Sequence, residues 1–370
     1  MGPLTMFSPF DMNYSPLGAG LLARAGSALP EDDVYQSGAE YVETYLQPLA
    51  ELPLLAGRIQ LDARVAYIGK DGLAKGDLIG QQTRLEKPFR LLVQSSGGTE
   101  RISHADVVLD CTGMYDRPNW MGNGGIPALG ERALRKRISY RLPDVLGEDR
   151  ETYAGKTTLL VGDGYSAATT LLGLLEVARE ATGTRIVWVT NHDRPLCLSP
   201  IADDPLPRRA ALTERVNRIA ADGAANVTRV PGGFVEEIRT TFDDRLRVRL
   251  GTDQPHEMVI DRIVTNVGFS PDNLLYRELQ VHECYASRGP MNLAAALSSA
   301  GGDGSDCLAV PPLGAATLEN PEPSFFILGS KSYGKGFNFL LRTGLEQIRD
   351  VFTLITGGTE LDLYHEGRVA

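Results

Sequence analysis

The sequence predicts an α/β fold with a parallel sheet, and three consecutive segments support this prediction. An apolar, β-rich run, KTTLLVG at 156–162, leads into a glycine turn. An amphipathic helix follows at 166–178, where leucines occupy positions 171, 172, 174 and 175. A second apolar run, RIVWVT at 185–190, completes a strand–helix–strand unit. The strands of such units are buried on both faces and therefore read as almost continuous apolar runs.

The turn in this unit has the spacing of a dinucleotide-binding loop. Gly162, Gly164 and Ala167 form the pattern G-x-G-x-x-A, and Tyr165 and Ser166 lie between the last two. The first glycine allows a tight turn, the second lets a pyrophosphate approach the backbone, and the alanine lets the helix pack closely on the strand. The N-terminal end of the helix also favours an anion. Because one strand precedes the turn and a second strand follows the helix, we favour dinucleotide binding over a plain strand-to-helix connection.

The residues after the second strand indicate which dinucleotide binds. A ribose 2′-hydroxyl usually meets an acidic residue here, whereas a 2′-phosphate prefers Arg and neutral donors. The strand ends in TNHDRP, in which Asn191 is a neutral donor and Arg194 lies close by. We therefore favour NADPH. NADH is the alternative, in which Asp193 and Arg194 only pair with each other at the surface.

Composition limits the classes of partner. The chain of 370 residues has 42% apolar residues, 23% charged residues and a net charge of −10, which is ordinary for one large globular domain or two smaller ones. It contains no Lys/Arg cluster that could follow a phosphate backbone, so we expect neither nucleic acid nor a membrane surface as partner. No apolar run approaches the roughly 20 residues of a membrane helix. We expect a small-molecule substrate, and the sequence indicates no oligomeric state.

The cysteines indicate thiols rather than a metal site or a dithiol centre. They are widely spaced, without a C-x-x-C pair or a Cys/His cluster of metal-ligand spacing, so no metal is predicted. We interpret them as reduced thiols of a cytoplasmic protein. The absence of C-x-x-C also disfavours a dithiol–disulfide relay. The four are Cys111, Cys197, Cys284 and Cys307.

The segments on either side of the central unit repeat one plan, in which strands lead to a turn of small residues. A helix is predicted at 38–50, and a β-meander is predicted from the strand-like segments that follow it. The strand ADVVLDCTG ends in Thr112-Gly113, and MVIDRIVTNVGFSPD passes through Asn266-Val267-Gly268. A strand at 325–328 leads to Gly329, and a helix is predicted from about Phe339 to Thr356. The other predicted strands are 58–69, 89–96, 105–113, 234–242, 245–251 and 258–272.

In this order the motifs resemble those of FAD/NAD(P)H oxidoreductases with two dinucleotide-binding domains, the flavin monooxygenase-like and thioredoxin-reductase-like flavoproteins. GDGYSA at 162–167 looks like the NAD(P)H loop, and DCTG and NVGFSP look like the two strand-end turns. LGSKSYGKGFNFLLRTG looks like the C-terminal FAD segment, with Gly329-Ser330 where many members have Gly-Asp. The resemblance covers nearly the whole chain.

The resemblance implies an FAD/NAD(P)-binding Rossmann-like fold in which an inserted NAD(P)H domain splits the FAD domain. The FAD domain would comprise residues 1–150 and 271–370, and the NAD(P)H domain residues 155–270. The implied cofactors are FAD and NADPH, with NADH as the alternative to NADPH. Besides the glycine turn and the residues after the second strand, the implied cofactor contacts are Val65, Thr112, Gly113, Gly268, Gly329, Asn338, Phe339 and Leu340.

The activity that the resemblance implies is hydride transfer from NAD(P)H to FAD, followed by electron transfer to oxygen or a small-molecule acceptor, as in a monooxygenase. The alternative is a non-enzymatic or truncated NADPH-binding protein derived from this fold. A single-cofactor dehydrogenase is disfavoured by the late position of the glycine turn. No catalytic residue is identified, because His282 and Glu283 in VHEC are more typical of a surface pair than of a proton-transfer site.

Members of this family also carry an FAD pyrophosphate loop near their N-terminus. We find no counterpart in this sequence and expect it to lie upstream of residue 1. We therefore expect the 370-residue chain to retain little FAD, because the phosphates would lack their main N–H donors.

Overall fold

The computed structural model of the protein describes residues 4–252, 256–300, 313–336 and 339–358, together with Leu361 and Tyr364. Within these ranges the strands are β1 (Arg64–Lys70), β2 (Phe89–Gln94), β3 (Glu100–Ala105), β4 (Val108–Asp110), β5 (Ile138–Ser139), β6 (Thr157–Val161), β7 (Arg185–Thr190), β8 (Val227–Pro231), β9 (Phe234–Thr240), β10 (Leu246–Gly251), β11 (His256–Ile260), β12 (Arg262–Thr265) and β13 (Phe325–Ile327). The α-helices are α1 (Pro16–Arg24), α2 (Gly38–Tyr41), α3 (Gln47–Glu51), α4 (Pro53–Ala56), α5 (Arg150–Tyr153), α6 (Tyr165–Glu180), α7 (Pro207–Asp222), α8 (Met291–Ser299) and α9 (Leu341–Thr356). A π-helical segment, Val42–Leu46, joins α2 to α3.

The chain divides into two units. The central unit contains Met1–Ser8, Tyr35–Glu40 and Pro118–Gly268, and the flanking unit contains Pro9–Val34, Tyr41–Arg117 and Phe269–Ala370. The main segment of the central unit begins at Pro118, whereas the NAD(P)H domain is expected from residue 155. The physical reason is that β5 pairs in parallel with β12 and so ties the segment before residue 155 to the central sheet.

The central unit has three layers. Its middle layer is a parallel sheet of five strands in the order β5-β12-β6-β7-β8. Leu159 and Val161 of β6 pack against the antiparallel sheet β11-β10-β9 on one face. Leu160 of β6 and Trp188 of β7 pack against α6 and α7 on the other face. Each fully buried side chain of this size contributes about 1.5–3 kcal/mol by leaving water, so the doubly covered sheet is the structural core of the unit.

The flanking unit repeats the layered plan on a smaller scale. Strands β1, β2 and β3 form the predicted antiparallel meander, in that order. Next to it, β4 and β13 pair in parallel, with Leu109 opposite Phe326. Phe325 of β13 packs on the meander side, in the cluster of Ile68 and Phe89, whereas Phe326 packs with α8 and α9. The parallel pair therefore lies between strands and helices.

The predicted α/β class and parallel sheet are confirmed, but several element bounds differ. The predicted strand 258–272 is divided into the end of β11 and β12, which ends at Thr265, and a π-helical segment interrupts the predicted helix 38–50. The predicted strand 58–69 starts only at Arg64, because Asp62 adopts a left-handed turn conformation with φ 51°. The predicted strand 105–113 is divided: Ala105 ends β3, and β4 covers only Val108–Asp110. Among the described residues, no helix is long and apolar enough to cross a membrane.

Candidate functional site

The glycine turn joins β6 to α6 at the carboxyl end of the central sheet. Gly162 has φ 133°, and a Cβ atom there would lie 2.5 Å from the backbone carbonyl oxygen of Asn266. Its N–H donates to the carbonyl of Val189 at 3.0 Å. Because both the dihedral angle and the space exclude a side chain, only glycine fits at position 162.

The second glycine leaves the start of α6 open. Gly164 is the N-cap residue, and no side chain caps this end of the helix. A Cβ at Gly164 would have no neighbour within 4 Å. Ala167 is fully buried beneath the turn, in the core that α6 forms with the sheet, as the spacing predicts. Tyr165 packs edge-on against Phe7, with ring centres 5.7 Å apart. The backbone of the turn is therefore accessible to an anion at a helix N-terminus.

A second turn, after β12, supports the first. The N–H of Asn266 donates to the carbonyl of Val161 at 2.8 Å, and its side-chain oxygen accepts from Thr170 of α6 at 2.9 Å. Thr170 also bonds the carbonyl of Ser166, at 3.0 Å. Gly268 has φ 83°. The ends of β6 and β12 thus lie together, at the sheet edge where ligands of open parallel sheets bind.

The loop after β7 carries the residues predicted to select the dinucleotide. Asn191 and Arg194 are both exposed. The side chains of Asp193 and Arg194, both within the described part of the chain, form neither a hydrogen bond nor an ion pair with each other, so the surface pairing is not formed. The carbonyl of Arg194 accepts a hydrogen bond from Arg229 of β8 at 2.8 Å. The Arg194 guanidinium is left facing solvent.

The loop after β7 also carries a thiol. Cys197 is half-buried, and burial raises the pKa of its thiol. The positive charge of Arg229 acts to lower that pKa, and the negative charge of Asp163 acts to raise it. The net effect keeps Cys197 protonated near neutral pH, so it is a poor nucleophile.

In the flanking unit, a buried ion pair fixes the first strand-end turn. Lys331 Nζ lies 2.6 Å from Asp110 Oδ2, and both side chains are fully buried. The other carboxylate oxygen, Oδ1, accepts from the N–H of Thr112 at 3.1 Å and from its hydroxyl at 2.7 Å. Gly113 (φ 69°) and Gly329 (φ 71°) follow β4 and β13. A Cβ atom at Gly113 would lie 3.8 Å from the hydroxyl oxygen of Ser330, and a Cβ atom at Gly329 would have no neighbour within 4 Å.

Helix α9 fixes the second strand-end turn. Gln347 accepts from the N–H of Gly329 at 2.8 Å and donates to the hydroxyl of Ser332 at 2.9 Å. Leu340 immediately precedes α9, and the ring of Phe339 lies 5.5 Å from that of Tyr333. The predicted contact Asn338 lies outside the described residues.

The predicted contact Val65 belongs to the meander. It opposes Val93 and packs against the core cluster of Ile68 and Phe325. The structure thus brings the predicted residues into two groups, one at the strand ends of each unit, with Val65 in the meander beside the second group.

His282 and Glu283 do not form the expected surface pair. Glu283 accepts a hydrogen bond from the amide of Asn273. His282 instead lines an open cavity of about 310 Å³ with Met291, Asn292, Glu319, Asn320 and Pro321.

In the described ranges, no group of three or more His, Cys, Asp or Glu side chains could hold a metal ion. The described cysteines, Cys111, Cys197 and Cys284, carry free thiols, and Cys307 lies outside the described residues.

Sequence reasoning missed three residues whose contacts shape these sites: Trp188, Arg229 and Lys331. The first two lie on neighbouring strands, and the third bonds across from β13 to β4. A single sequence gave no signal for these contacts beyond an aromatic and two basic residues within or beside apolar strands.

The G-x-G-x-x-A spacing occurs a second time, at Gly18, Gly20 and Ala23, without forming a turn. There it lies within α1, and Ser15 caps the helix by accepting from the N–H of Gly18 at 2.9 Å. Among the described residues before this copy, which start at residue 4, there is no strand. The spacing alone therefore does not identify a dinucleotide loop.

Comparison with known proteins identifies the fold. No protein-family model and no curated sequence matches the chain. Among solved structures, it is similar to the bacillithiol disulfide reductase of Bacillus cereus, with 17% identity, a TM-score of 0.63, and coverage of 95% of this chain and 85% of that one. It is also similar to the ornithine N-hydroxylase of Kutzneria sp. 744 with reduced FAD, NADP⁺ and L-ornithine (14% identity, TM-score 0.58, 96% and 89% covered).

A third similar structure is the FAD-bound cadaverine monooxygenase of desferrioxamine biosynthesis from Erwinia amylovora (14% identity, TM-score 0.57, 92% and 77% covered). Thioredoxin reductases are similar at TM-scores just above 0.5. All these structures are similar in fold at 13–17% sequence identity. The chain therefore has the Rossmann-like fold of the FAD/NAD(P)-dependent oxidoreductases, as the sequence predicts.

Proposed function

We propose that the chain is an FAD-dependent NAD(P)H oxidoreductase, which passes hydride from NAD(P)H to FAD and the electrons on to oxygen or a small-molecule acceptor. The observation that carries the proposal is the open glycine turn at Gly162 and Gly164, at the uncapped start of α6. Solved structures with the same fold contain FAD and NADP⁺. No catalytic side chain is assigned.

In the central unit, the chain's own groups would hold the dinucleotide. The backbone between Gly162 and Ser166 would bind the pyrophosphate, since it ends at the positive end of a helix of 16 residues. Asn191 and the exposed guanidinium of Arg194 would bind the ribose end, and an arginine here favours a 2′-phosphate. These contacts support NADPH over NADH.

In the flanking unit, the strand-end turns fit a flavin nucleotide. Nothing lies within 4 Å of where the side chain of Gly329 would be, and Thr112 is exposed, so ligand atoms can approach both turns. The Asp110–Lys331 ion pair and Gln347 hold the turns in place. FAD would supply the two-electron redox chemistry, while Gly113, Gly329 and the N-terminal end of α9 would orient it.

The similar structures are enzymes of different reactions: they include a disulfide reductase, a monooxygenase and an N-hydroxylase. The sequence has no C-x-x-C pair, and burial raises the pKa of the Cys197 thiol. Both observations weigh against a protein dithiol as electron carrier. We therefore propose direct transfer to oxygen or to a small molecule, as in a monooxygenase.

The test is to incubate the purified protein with FAD, remove free FAD by dialysis, and record the visible flavin spectrum. NADPH is then added under anaerobic conditions, and bleaching of the flavin is followed. Bound flavin that NADPH bleaches, and that air restores, supports the proposal. Binding of NADPH without bound FAD would instead favour the alternative, a non-enzymatic or truncated NADPH-binding protein derived from this fold. Binding of neither cofactor would contradict both functions.

A further inference from the structure

The loop after β7, residues 191–198, is held by four sets of contacts, one of which is a hydrogen bond from the hydroxyl of Thr190 to the carbonyl of His192 at 3.2 Å. At its start, the carbonyl of Thr190 accepts from the N–H of Gly233 at 3.1 Å. At its end, the buried amide of Asn217 bonds both the N–H and the carbonyl of Leu198, at 3.0 and 2.8 Å. In the middle, Arg229 donates to the carbonyl of Arg194 at 2.8 Å. The middle contact fixes the backbone of Arg194, whose side chain is proposed to bind the ribose end of the dinucleotide.

Arg229 is itself fixed from two sides. It is the direct register partner of Trp188 on the neighbouring strand, and its guanidinium carbon lies 5.7 Å from the centre of the indole ring. A second guanidinium N–H donates to the carbonyl of Ala220 in α7 at 3.2 Å. The stacking and the two hydrogen bonds leave the guanidinium little freedom, because its planar fork is already oriented.

Trp188 extends the same arrangement to the glycine turn. Its indole N–H donates to the carbonyl of Gly162 at 2.8 Å, and only 1% of the residue is exposed. One buried side chain therefore contacts both the turn proposed to bind the pyrophosphate and the arginine that holds the loop proposed to bind the ribose.

We propose that Trp188 and Arg229 are positioning residues of the dinucleotide site, which hold the glycine turn and the loop 191–198 in one relative arrangement. This inference rests on the proposed function. Neither side chain needs to touch the ligand. Arg229 acts by fixing the backbone at Arg194, and Trp188 acts by fixing the carbonyl of Gly162. When the loop always occupies the binding conformation, the protein binds its ligand with full affinity, and any population of other conformations weakens that affinity.

The test uses two probes that report on different parts of the site. ADP carries a pyrophosphate without a 2′-phosphate, and 2′,5′-ADP carries a 2′-phosphate without a pyrophosphate. In Arg229→Met the loop loses its middle contact. If the loop then occupies the binding conformation one tenth of the time, 2′,5′-ADP should bind about tenfold more weakly. ADP binding should change less than about threefold, because the glycine turn keeps its contact with Trp188.

Two further variants show whether the effect follows from positioning. Arg229→Lys retains a charged donor and should recover part of the lost 2′,5′-ADP affinity. Trp188→Phe keeps an aromatic ring but removes the N–H, so it should weaken ADP as well as 2′,5′-ADP. The matched control is Arg185→Met, an exposed arginine at the opposite end of β7, which should leave both affinities unchanged.

Hydrogen–deuterium exchange of the ligand-free proteins tests the same contact independently of binding. In Arg229→Met, the N–H groups of Gly233 and Leu198, which form hydrogen bonds at the two ends of the loop, should exchange faster, while the N–H of Gly162 in the glycine turn exchanges as in the wild type. Suppose that the wild type binds both probes, and that Arg229→Met changes neither the 2′,5′-ADP affinity nor the exchange. That result would overturn the inference and leave the proposed function standing. Failure of the wild type to bind ADP, 2′,5′-ADP and NADPH would reject the proposed function, and the inference with it.

Discussion

Lys331 Nζ and Asp110 Oδ2 lie 2.6 Å apart, and neither side chain is exposed to solvent. Asp110 ends β4, and Lys331 lies in the turn after β13, so the pair joins the two strand ends of the flanking unit. The lysine also reaches the hydroxyl of Thr112 at 3.1 Å. Removal of one member of a buried ion pair leaves the other charge buried without a partner, which strongly destabilises the fold.

We first predict that Lys331→Met destabilises the protein by about 3–5 kcal/mol, because Asp110 is left as an uncompensated buried charge. Asp110→Asn should cost a similar amount, and the double variant should cost less than the sum of the two. The free energy of unfolding in urea measures all three. Arg218→Met is the control, since its partner Glu214 is exposed, and we expect a change within about 1 kcal/mol. Additive single effects would contradict the pairing.

A second prediction separates the two glycines of the turn. Gly162→Ala should destabilise the protein by about 1–3 kcal/mol, because φ 133° is strained for alanine and the new Cβ would lie 2.5 Å from a backbone oxygen. Gly164→Ala has room for its Cβ and ordinary backbone angles, so it should change stability by less than about 1 kcal/mol. Thermal unfolding of both variants checks the difference. Equal losses would show that the turn is not shaped as described.

The strand–helix–strand unit could be predicted because its signals are local. The apolar runs of β6 and β7 and the glycine spacing lie within about 35 consecutive residues, and each indicates its element directly. Helix α7 and strand β8 were not predicted, although Pro207 begins the helix and Gly223, with φ 79°, ends it. The charged residues on the surface of α7 weaken the apolar pattern that would indicate a helix.

The contacts that shape the site could not be predicted, since they join residues far apart in sequence. The Trp188–Arg229 pair requires β8 to lie beside β7 in register, and the Asp110–Lys331 pair requires β4 beside β13. Local patterns do not determine such pairings. The copy of the glycine spacing within α1 shows the converse: the same residue types at the same spacing lie in a helix, with no strand among the described residues before it.

A third prediction tests the pyrophosphate site. Gly164→Asp should abolish NADPH and NADH binding, because a carboxylate would face the phosphates at the start of α6. Folding should be little affected, since no atom lies within 4 Å of the new Cβ. Calorimetric titration with both nucleotides measures the loss, with Gly164→Ala as the matched control. Wild-type affinity in a folded Gly164→Asp protein would mean that the turn does not bind the dinucleotide.

A fourth prediction concerns thiol reactivity. The backbone N–H of Ser287 and then its hydroxyl lower the pKa of Cys284, whereas burial raises the pKa of Cys197. At neutral pH a larger fraction of Cys284 is therefore thiolate, and it should be alkylated before Cys197. Ser287→Ala should raise the pKa of Cys284 and slow its alkylation. Peptide mass spectrometry after brief iodoacetamide treatment, repeated from pH 6 to 9, follows both sites. Faster labelling of Cys197 would contradict the assigned environments.

The last prediction concerns the choice between NADPH and NADH. The Arg194 side chain is exposed, and its backbone is held by Arg229, so its guanidinium is available to a 2′-phosphate. Arg194→Ala should therefore weaken NADPH binding about ten- to a hundredfold, the value of one charge-assisted hydrogen bond of about 1.5–3 kcal/mol. NADH lacks the phosphate and should lose less than about threefold.

Calorimetric titrations of wild type and variant with both nucleotides measure the difference, and titrations at two salt concentrations test its charge dependence. The advantage of NADPH over NADH should shrink as salt rises in the wild type, because the exposed pair is screened. In Arg194→Ala this salt dependence should be largely lost. Arg185→Ala, at the opposite end of β7, controls for the general loss of positive charge. If Arg194→Ala weakens both nucleotides equally, the arginine does not select NADPH, and the preference must come from other residues at the strand end.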